Sequence, residues 1–410
     1  MIERTYKNET ELMDLHGVSF YMQDMLDACL VGRLNLFLQG DTGSGKTQLA
    51  ADAMAHFPNK SLFILGRNDM DTRELFQQVN PEFFKALKEG RLEKGTTAKQ
   101  LTDKITYNLI VVDELPNCVP AVRAQLFNLF DGYVEINGQK YQIGGNYSAG
   151  IATGNIGQQF TESSNELGRA LKDRMHVIID TDYFFPRPSD TLEILAGNTN
   201  PRVEFKDDVQ KEDHSIKIIE RHQRIISRDV PLDKLIVANY LLHGLDCCSK
   251  GSKRKMKNQW PTQLEQHEQG SDVGLILPVS PRAAKSIIRL SQSLDDIART
   301  KGVDEEFIEN NSFNSMMQAY KFVAAYSGVL NEATVEVTYQ GDKYKALDAV
   351  ITATKSQFDS QRDNLKAGVE MAMAGKFNTK VLDSFKGNRW EFMIDMLRGL
   401  QKQYGNKKSL

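Results

Sequence analysis

The sequence predicts an α/β fold in which a parallel five-stranded sheet lies between helices, followed by a mainly helical region. Three observations support this prediction. A glycine-rich loop at 39–47 joins an apolar segment to a helical one, and an aliphatic run at 109–112 ends in two carboxylates. Further short aliphatic segments follow the same pattern at 60–65, 149–153 and 175–180. Short, fully aliphatic strands separated by helical stretches are typical of parallel sheets that are covered on both faces.

The first elements surround the glycine-rich loop. Met1 to Gly32 is predicted to form a helix beside the first strand, because its apolar residues recur at mixed helical spacing. The strand Leu34 to Leu38 follows, and the loop Gln39 to Thr47 then satisfies the phosphate-binding pattern GxxxxGK[ST]. Gln48 to Phe57 predicts a helix whose N-terminus adds its positive dipole end. A glycine-rich turn that binds nothing is the alternative, but strand, complete pattern and helix coincide here.

This loop predicts a binding site for ATP and Mg²⁺. Its glycines allow backbone conformations in which successive N–H groups turn inward around a polyphosphate. Lys46 can reach the outer phosphates as a point charge, and the Thr47 hydroxyl can supply one ligand to magnesium. The predicted nucleotide-binding residues are Gly40, Asp41, Thr42, Gly43, Ser44, Gly45, Lys46, Thr47 and Gln48.

The aliphatic strand from Leu109 ends in Asp113 and Glu114, which is a Walker B pattern. The carboxyl end of a buried parallel strand lies beside the phosphate loop, so Asp113 is predicted to hold Mg²⁺ directly or through water. Glu114 is the predicted general base for the attacking water. A strand that merely ends in acidic turn residues would be favoured for an isolated match, but here a complete phosphate loop precedes it.

Two further elements follow a helix at Ala121 to Phe130. The segment Tyr133 to Ile143 predicts a β-hairpin, because Asn137-Gly138 stands between two alternating stretches. The next buried strand, 149–153, ends at Gly154-Asn155. Asn155 is predicted to contact the γ-phosphate or the attacking water; standing alone, it would be interpreted as an ordinary strand-capping residue.

The ordered set of motifs resembles the MoxR family of AAA+ ATPases. The motifs are GDTGSGKT, VVDELPN, QLFNLFDG, VEINGQKYQI, IATGN, ALKDRM and SPRAA, and the resemblance extends from about residue 15 to residue 330. It implies that Asn155 is the sensor-1 residue, that Arg174 is an arginine finger acting on a neighbouring subunit, and that Arg282 is sensor 2. It also implies a homo-oligomeric ring, usually a hexamer, that remodels protein partners, often ones with a von Willebrand A domain.

The chain departs from the family pattern at three places. The family's DEINRA is Asp113 to Cys118 here, its proline after sensor 1 is Ile156, and its DRF is Asp173-Arg174-Met175. None of these changes removes a catalytic charge, but they indicate a divergent branch. Arg169 lies close to the finger position and is a second candidate for that role. For either arginine, the alternative is a solvated residue paired with a nearby carboxylate.

The sequence predicts three domains: 1–188 for the nucleotide-binding α/β domain, 189–330 for a helical lid, and 331–410 for a C-terminal accessory domain. The fifth strand of the first domain is Met175 to Asp180. The predicted lid helices are Ser215 to Ile226, Leu232 to Leu245, Pro281 to Ala298 and Ser312 to Leu330. In the accessory domain, Thr334 to Tyr339 alternates like a strand, and two further helices lead to a basic tail at 406–410.

A polar segment at 247–272 interrupts the lid and is predicted to be an exposed loop. It carries five basic residues, Lys250, Lys253, Arg254, Lys255 and Lys257. A basic run of this kind is usually only solvated, but it is the candidate here for an anionic partner.

The composition of the chain limits the partners, the cellular location and the structural sites that are expected. The net charge of -3 and the pI near 6.2 give no global attraction to nucleic acid or acidic membranes. The sequence shows no apolar run long enough to cross a bilayer and no signal-peptide pattern at its start, so a cytoplasmic protein is expected. Four cysteines without a CxxC pair argue against a zinc site or a disulfide framework.

Two classes of function are therefore expected. The preferred one is an ATP-driven remodeller of protein partners; the alternative is an ATP-driven nucleic-acid motor or translocase, since the same fold serves both. The acidic pI favours the first. A nucleotide-dependent scaffold with little turnover is a third class, and Glu114 with its candidate arginine fingers argues against it.

Overall fold

The five predicted parallel strands form one sheet in the computed structural model of the chain. The structure describes residues 6–91, 97–155, 174–197, 203, 213–248, 254, 275–375 and 379–405. Two units separate by their contacts: Met1–Arg228 with Asp296–Gly302, and Asp229–Asp295 with Val303–Leu410. The sheet belongs to the first unit. The predicted division at 188/189 and 330/331 stays a prediction.

The sheet has the strand order β11-β3-β10-β7-β4, with all neighbours parallel. The strands of the described chain are β1 Met13–Leu15, β2 Val18–Phe20, β3 Leu36–Gln39, β4 Ser61–Leu65, β5 Gln77–Val79, β6 Lys99–Leu101, β7 Leu109–Asp113, β8 Tyr133–Ile136, β9 Gln139–Gln142, β10 Ala149–Gly154 and β11 Val177–Asp180. The central strands β3, β7 and β10 are buried along their whole length, which explains their aliphatic composition.

The strand register brings the polar strand ends to one edge. Gln39 at the end of β3 lies opposite Gly154 of β10 and Asp180 of β11, and Leu65 of β4 lies opposite Asp113 of β7. The carboxyl ends of all five strands therefore meet, which is the edge where open α/β sheets bind ligands.

Helices surround the sheet and build the second unit. The described helices are α1 Met22–Gly32, α2 Lys46–Ala55, α3 Thr72–Leu75, α4 Pro81–Lys88, α5 Pro120–Phe130, α6 Pro188–Ala196, α7 Ser215–Ser227, α8 Leu232–Asn239, α9 Leu245–Cys248, α10 Pro281–Thr300, α11 Glu305–Asn310, α12 Ser312–Ala324, α13 Glu332–Tyr339, α14 Lys343–Met373, α15 Thr379–Asp383 and α16 Phe392–Gly405. A π-helical turn, Tyr240–Gly244, joins α8 to α9. In the first unit, α2 packs on β7 and β10, and α5 packs on β10.

Hairpins confirm one prediction and correct another. Strands β8 and β9 pair through Asn137 and Gly138, whose φ values of 52° and 78° are those of the predicted tight turn. The N-terminal segment was predicted as one helix, but β1 and β2 form an antiparallel hairpin before α1 begins. His16 and Gly17 supply the positive φ angles of that turn, a weaker sequence signal than Asn-Gly.

The strand predicted at Thr334 to Tyr339 is wrong, because the segment forms α13. The Asn331 side chain caps its N-terminus by accepting from the Thr334 N–H, and Gln340 ends it in the left-handed conformation. Val335 is 1% exposed and Val337 85% exposed, so the alternating residues fall on different sides of a helix. End signals and the burial of one face outweigh the β-branched composition.

The second unit is helical and includes the C-terminal region. Within it, Lys234 and Asp295 form a buried ion pair. Trp390 packs against Tyr240 with ring centroids 4.6 Å apart, and Arg389 donates to the Tyr240 hydroxyl. Among the residues described after α13, the structure has three helices and not the predicted two. In the described part of the chain, no helix combines the length and the apolar character that crossing a bilayer requires.

Candidate functional site

The phosphate loop runs from the end of β3 to the start of α2 and has the backbone that its sequence predicts. Gly43 and Gly45 adopt φ values of 89° and 84°, in the region that favours glycine. A Cβ atom on Gly45 would lie 2.5 Å from the ring of Tyr6, so the aromatic ring and the loop backbone approach as closely as glycine allows. The first turn of α2 then places Lys46 and Thr47 at the loop.

The ammonium group of Lys46 is folded onto the loop. The side chain is 8% exposed, and Nζ donates to the carbonyl oxygens of Gly40 and Asp41 and to the Ser44 hydroxyl. Burial lowers the pKa of Lys46, while the carboxylates of Asp182, Asp41, Asp113 and Glu114 act in the opposite direction. A cation held in this position is suited to a polyphosphate.

Asp113 and Thr47 form an oxygen-rich pair at the ends of β7 and the loop. The Thr47 hydroxyl donates to Asp113 Oδ1 at 3.1 Å, and the Thr153 hydroxyl, at the end of β10, donates to the same carboxylate oxygen. Asp113 is buried. Hydroxyl and carboxylate oxygens are hard ligands of the kind that magnesium prefers.

Glu114 follows β7 directly in the left-handed conformation, with φ of 55°. Its backbone N–H donates to the Thr153 hydroxyl at 3.2 Å, and its carboxylate accepts from Asn117 Nδ2 at 2.8 Å. Asn117 thus restrains the orientation of the Glu114 carboxylate. Glu114 and Asp113 both belong to the wall of one cavity.

Asn155 reaches the loop from the end of β10. Its Nδ2 atom donates to the Thr42 hydroxyl at 3.3 Å. Because β10 lies between β3 and β7, Asn155 stands between the phosphate loop and the two carboxylates. An amide in this place can contact both a phosphate oxygen and a water molecule.

These residues line one cavity of about 610 Å³. Its wall consists of Tyr6, Lys7, Thr42, Gly43, Ser44, Gly45, Lys46, Thr47, Gln48, Asp113, Glu114, Thr153, Gly154, Asn155, Pro186, Glu193, Ile194, Leu195, Gly197 and Val203. One part of the wall is polar and carries the loop and the carboxylates. The other part is apolar, with Tyr6, Pro186, Ile194, Leu195 and Val203. A molecule with a flat apolar group at one end and phosphates at the other matches this division.

Several residues that were predicted to belong to the site do not line this cavity. Gly40 and Asp41 do not line the cavity, and instead contact the end of β11, where Asp182 accepts from the Asp41 N–H at 2.7 Å. Arg282 lies in the second unit, in the first turn of α10, which the Ser280 hydroxyl caps by accepting from Ala283. Arg169 falls outside the described residues.

Arg174 lies at the amino edge of the sheet. Its Nε donates to Asp131 Oδ2 at 2.8 Å, and its guanidinium lies 5.2 Å from the ring centre of Phe127. Its carbonyl accepts from Asn35 Nδ2, just before β3 begins. The length of β3, about 13 Å at about 3.3 Å per residue, therefore separates Arg174 from the loop of its own chain.

The exposed basic loop predicted at 247–272 is wrong in two details. Cys247 and Cys248 belong to α9. Arg254 is half-buried, and its guanidinium donates to the carbonyl oxygens of Leu242 and Val279, so it is not a solvated charge. The four lysines of the run lie outside the described residues.

Sequence reasoning missed four residues that shape the site: Tyr6, Asn117, Thr153 and Asp182. Each depends on a contact made by folding, such as Thr153 to Asp113 or Asp182 to Asp41. One feature of the sequence could have indicated Thr153: it is a polar residue at the end of an otherwise apolar strand. Another could have indicated Asn117, since it stands three residues after Glu114.

Comparisons with known proteins bear on the fold of the first unit. Residues 35–175 match the family model of the AAA domain, dynein-related subfamily. Among solved structures, the chain resembles a protein from Cytophaga hutchinsonii ATCC 33406 that is provisionally described as an ATPase. The TM-score is 0.50 and the identity 17%, over 78% of this chain and 88% of that chain, which shows the fold alone. No curated protein matches. The first unit thus has the AAA+ nucleotide-binding fold.

Proposed function

We propose that this AAA+ chain hydrolyses ATP with magnesium, and that a ring of identical subunits uses the energy to remodel a protein partner. The observation that carries the proposal is the convergence of Lys46, Thr47, Asp113, Glu114 and Asn155 on one cavity. Each supplies a different part of what phosphoryl transfer to water requires.

The side chains present fit a magnesium nucleotide. Thr47 and Asp113 offer hydroxyl and carboxylate oxygens to the metal, and Lys46 offers its ammonium to the outer phosphates. When bound, Mg²⁺ neutralises charge on the phosphate oxygens. Thr153 orients Asp113, because its hydroxyl donates to the carboxylate.

Glu114 is the proposed general base. A carboxylate beside the terminal phosphate can accept a proton from the attacking water, and Asn155 can hold that water from the other side. Asn117 keeps the Glu114 carboxylate in one orientation through its 2.8 Å hydrogen bond. The apolar part of the cavity would take the nucleobase, with the Tyr6 ring beside the loop.

The position of Arg174 supports active sites that form between subunits. At the amino edge of the sheet it is distant from its own phosphate loop, so a role in hydrolysis requires a neighbouring molecule. A positive charge near the γ-phosphate is needed in the transition state. We therefore propose Arg174 as the finger in trans, with Arg169 as the second candidate and Arg282 as sensor 2. The resemblance to MoxR proteins suggests six subunits and a client with a von Willebrand A domain.

The nucleic-acid motor remains the alternative function. Arg254 lends it no support, because this member of the basic run donates to carbonyl oxygens of its own chain. Non-specific binding of nucleic acid depends on exposed cations whose counterions are released. The net charge of -3 and the pI near 6.2 favour a protein client as the partner.

Two substitutions test the proposed chemistry. Lys46→Ala should weaken nucleotide binding, whereas Glu114→Gln should bind ATP as the wild type does and hydrolyse it about 10²- to 10⁴-fold more slowly. Binding is measured by calorimetry and turnover by phosphate release. The matched control is Glu135→Gln, an exposed glutamate on β8, which should leave both unchanged. Wild-type turnover in Glu114→Gln would remove Glu114 as the base.

A further inference from the structure

The carboxyl end of β11 holds the first half of the phosphate loop. We call Asp180, Thr181 and Asp182 the brace. The Thr181 N–H and hydroxyl both donate to the Gln39 carbonyl, at 2.7 and 2.9 Å. Gln39 Nε2 donates to Asp180 Oδ2 at 3.2 Å. These contacts fix the residue at which the strand becomes the loop.

The brace also reaches further into the loop. Asp182 Oδ2 accepts from the Asp41 N–H at 2.7 Å, and the hydroxyls of Thr181 and Ser44 lie 2.8 Å apart. A Cβ atom on Gly40 would lie 2.1 Å from Thr181 Oγ1, so only glycine permits this approach. The loop is thus divided: Gly40 and Asp41 rest on the brace, while its later residues line the cavity.

The brace places a negative charge behind an anion-binding loop. Partial desolvation by the loop raises the pKa of the Asp182 carboxyl, whose residue is otherwise exposed, as does nearby Asp180, while the Asp41 N–H acts in the opposite direction. Asp182 accepts from the N–H of the peptide group that joins Gly40 to Asp41, and the carbonyl of the same peptide group accepts from Lys46 Nζ at 3.0 Å, so one peptide group separates the carboxylate from the ammonium. An anionic ligand at Lys46 is repelled by the same carboxylate that orders the loop.

We propose that Asp182 is a positioning residue with two opposed effects: its hydrogen bond orders the phosphate loop for hydrolysis, and its charge weakens the binding of nucleotide. Thr181 contributes to the first effect alone, because its hydroxyl is uncharged. The inference rests on the proposed ATPase function. Its consequence is faster release of the product, since repulsion acts on ADP as it does on ATP.

Two variants of Asp182 separate the effect of its charge from the effect of its hydrogen bond. In Asp182→Asn, an amide oxygen can still accept from the Asp41 N–H, but the charge is gone. We expect MgADP to bind about 3- to 10-fold more tightly than to the wild type at low salt, and the difference to shrink as salt increases, because Asp182 is exposed and screened. In Asp182→Ala the acceptor is also lost, so kcat should fall well below that of Asp182→Asn.

Thr181 provides an independent check of the ordering effect. Thr181→Val keeps the shape but removes the hydroxyl bonds to Gln39 and Ser44, so kcat should fall, and Thr181→Ser should restore most of it. The charge control is Asp103→Asn, at an exposed position before the amino end of β7, which should change neither MgADP affinity nor kcat. Urea unfolding of each variant checks that the fold is intact.

The outcomes are distinguishable. A wild type that binds neither MgADP nor MgATP would overturn the proposed function and this inference with it. A wild type that binds and hydrolyses, with an Asp182→Asn variant that binds MgADP no more tightly at any salt concentration, would overturn the inference alone. Equal kcat in Asp182→Asn and Asp182→Ala would remove the ordering effect.

Discussion

At the scale of the residue, Asn35 joins three parts of the first unit through one side chain that is 3% exposed. Its Nδ2 donates to the carbonyls of Phe130 and Arg174, and its Oδ1 accepts from the Gly150 N–H. A buried backbone group without a partner destabilises a protein by about 1–3 kcal/mol. Asn35 therefore contributes to stability and also fixes the proposed finger.

Replacing Asn35 by alanine should lower the free energy of unfolding by about 3 kcal/mol or more, because three backbone groups lose their partner at once. Urea unfolding measures the change. Asn146→Ala is the matched control: this asparagine is exposed and precedes β10, the strand that Asn35 contacts at Gly150, so its replacement should change the free energy of unfolding by less than about 0.5 kcal/mol. Equal losses in the two variants would contradict the role given to Asn35.

The sequence predicts the charged residues of the candidate site but not the side chains that orient them. Lys46, Thr47 and Asp113 were identifiable because a local pattern of glycines and aliphatic residues fixes their places at strand ends. The side chains that orient them, Thr153 and Asp182, come from other strands. Their contacts depend on the order of strands in the sheet, which spacing along the chain does not encode.

At the scale of the element, α13 shows why an alternating pattern can mislead. In a strand, Val335 and Val337 would share one face; in a helix they point about 200° apart. The sequence carries the same pattern in both cases. The deciding signals are the Asn331 cap and the Gln340-Gly341 end, which lie outside the alternating stretch.

Substitution of lysine for Val335 or for Val337 tests whether this segment is a helix. Val335→Lys should lower the free energy of unfolding by about 2–4 kcal/mol, because it buries a charge, whereas Val337→Lys should change it by less than about 0.5 kcal/mol. Denaturant titration of the two variants gives both values. Similar large losses for both would favour a strand over the helix.

At the scale of the whole molecule, the proposed ring makes hydrolysis a property of pairs of subunits. Each subunit would offer a phosphate loop at the carboxyl edge of its sheet and an arginine at the amino edge. These two edges face opposite ways in any parallel sheet. A head-to-tail arrangement, in which every loop meets a neighbour's arginine, closes into a ring when the rotation permits.

Mixed rings of two inactive variants test this arrangement of subunits. Arg174→Ala should reduce turnover about 10³- to 10⁵-fold while ATP binding persists. Rings assembled from Arg174→Ala and Lys46→Ala subunits should regain activity, since some interfaces then join an intact loop to an intact arginine. Phosphate release is followed as the mixing ratio varies. Full activity of the wild type as a dilute monomer would exclude action in trans, and a harmless Arg174→Ala beside an inactive Arg169→Ala would transfer the role to Arg169.

The hydrogen bonds of Lys46 would affect how the proposed nucleotide is recognised. A free lysine side chain loses about 1.5–2 kcal/mol of rotamer entropy when it becomes fixed. Here the carbonyls of Gly40 and Asp41 and the Ser44 hydroxyl already immobilise it. An incoming polyphosphate would replace these oxygens as the acceptors of an ammonium group that is already in place. The rotamer entropy of the lysine is then lost when the chain folds and not when the ligand binds. Preorganisation of this kind favours discrimination by shape, because little freedom remains for the lysine to follow a ligand that fits poorly.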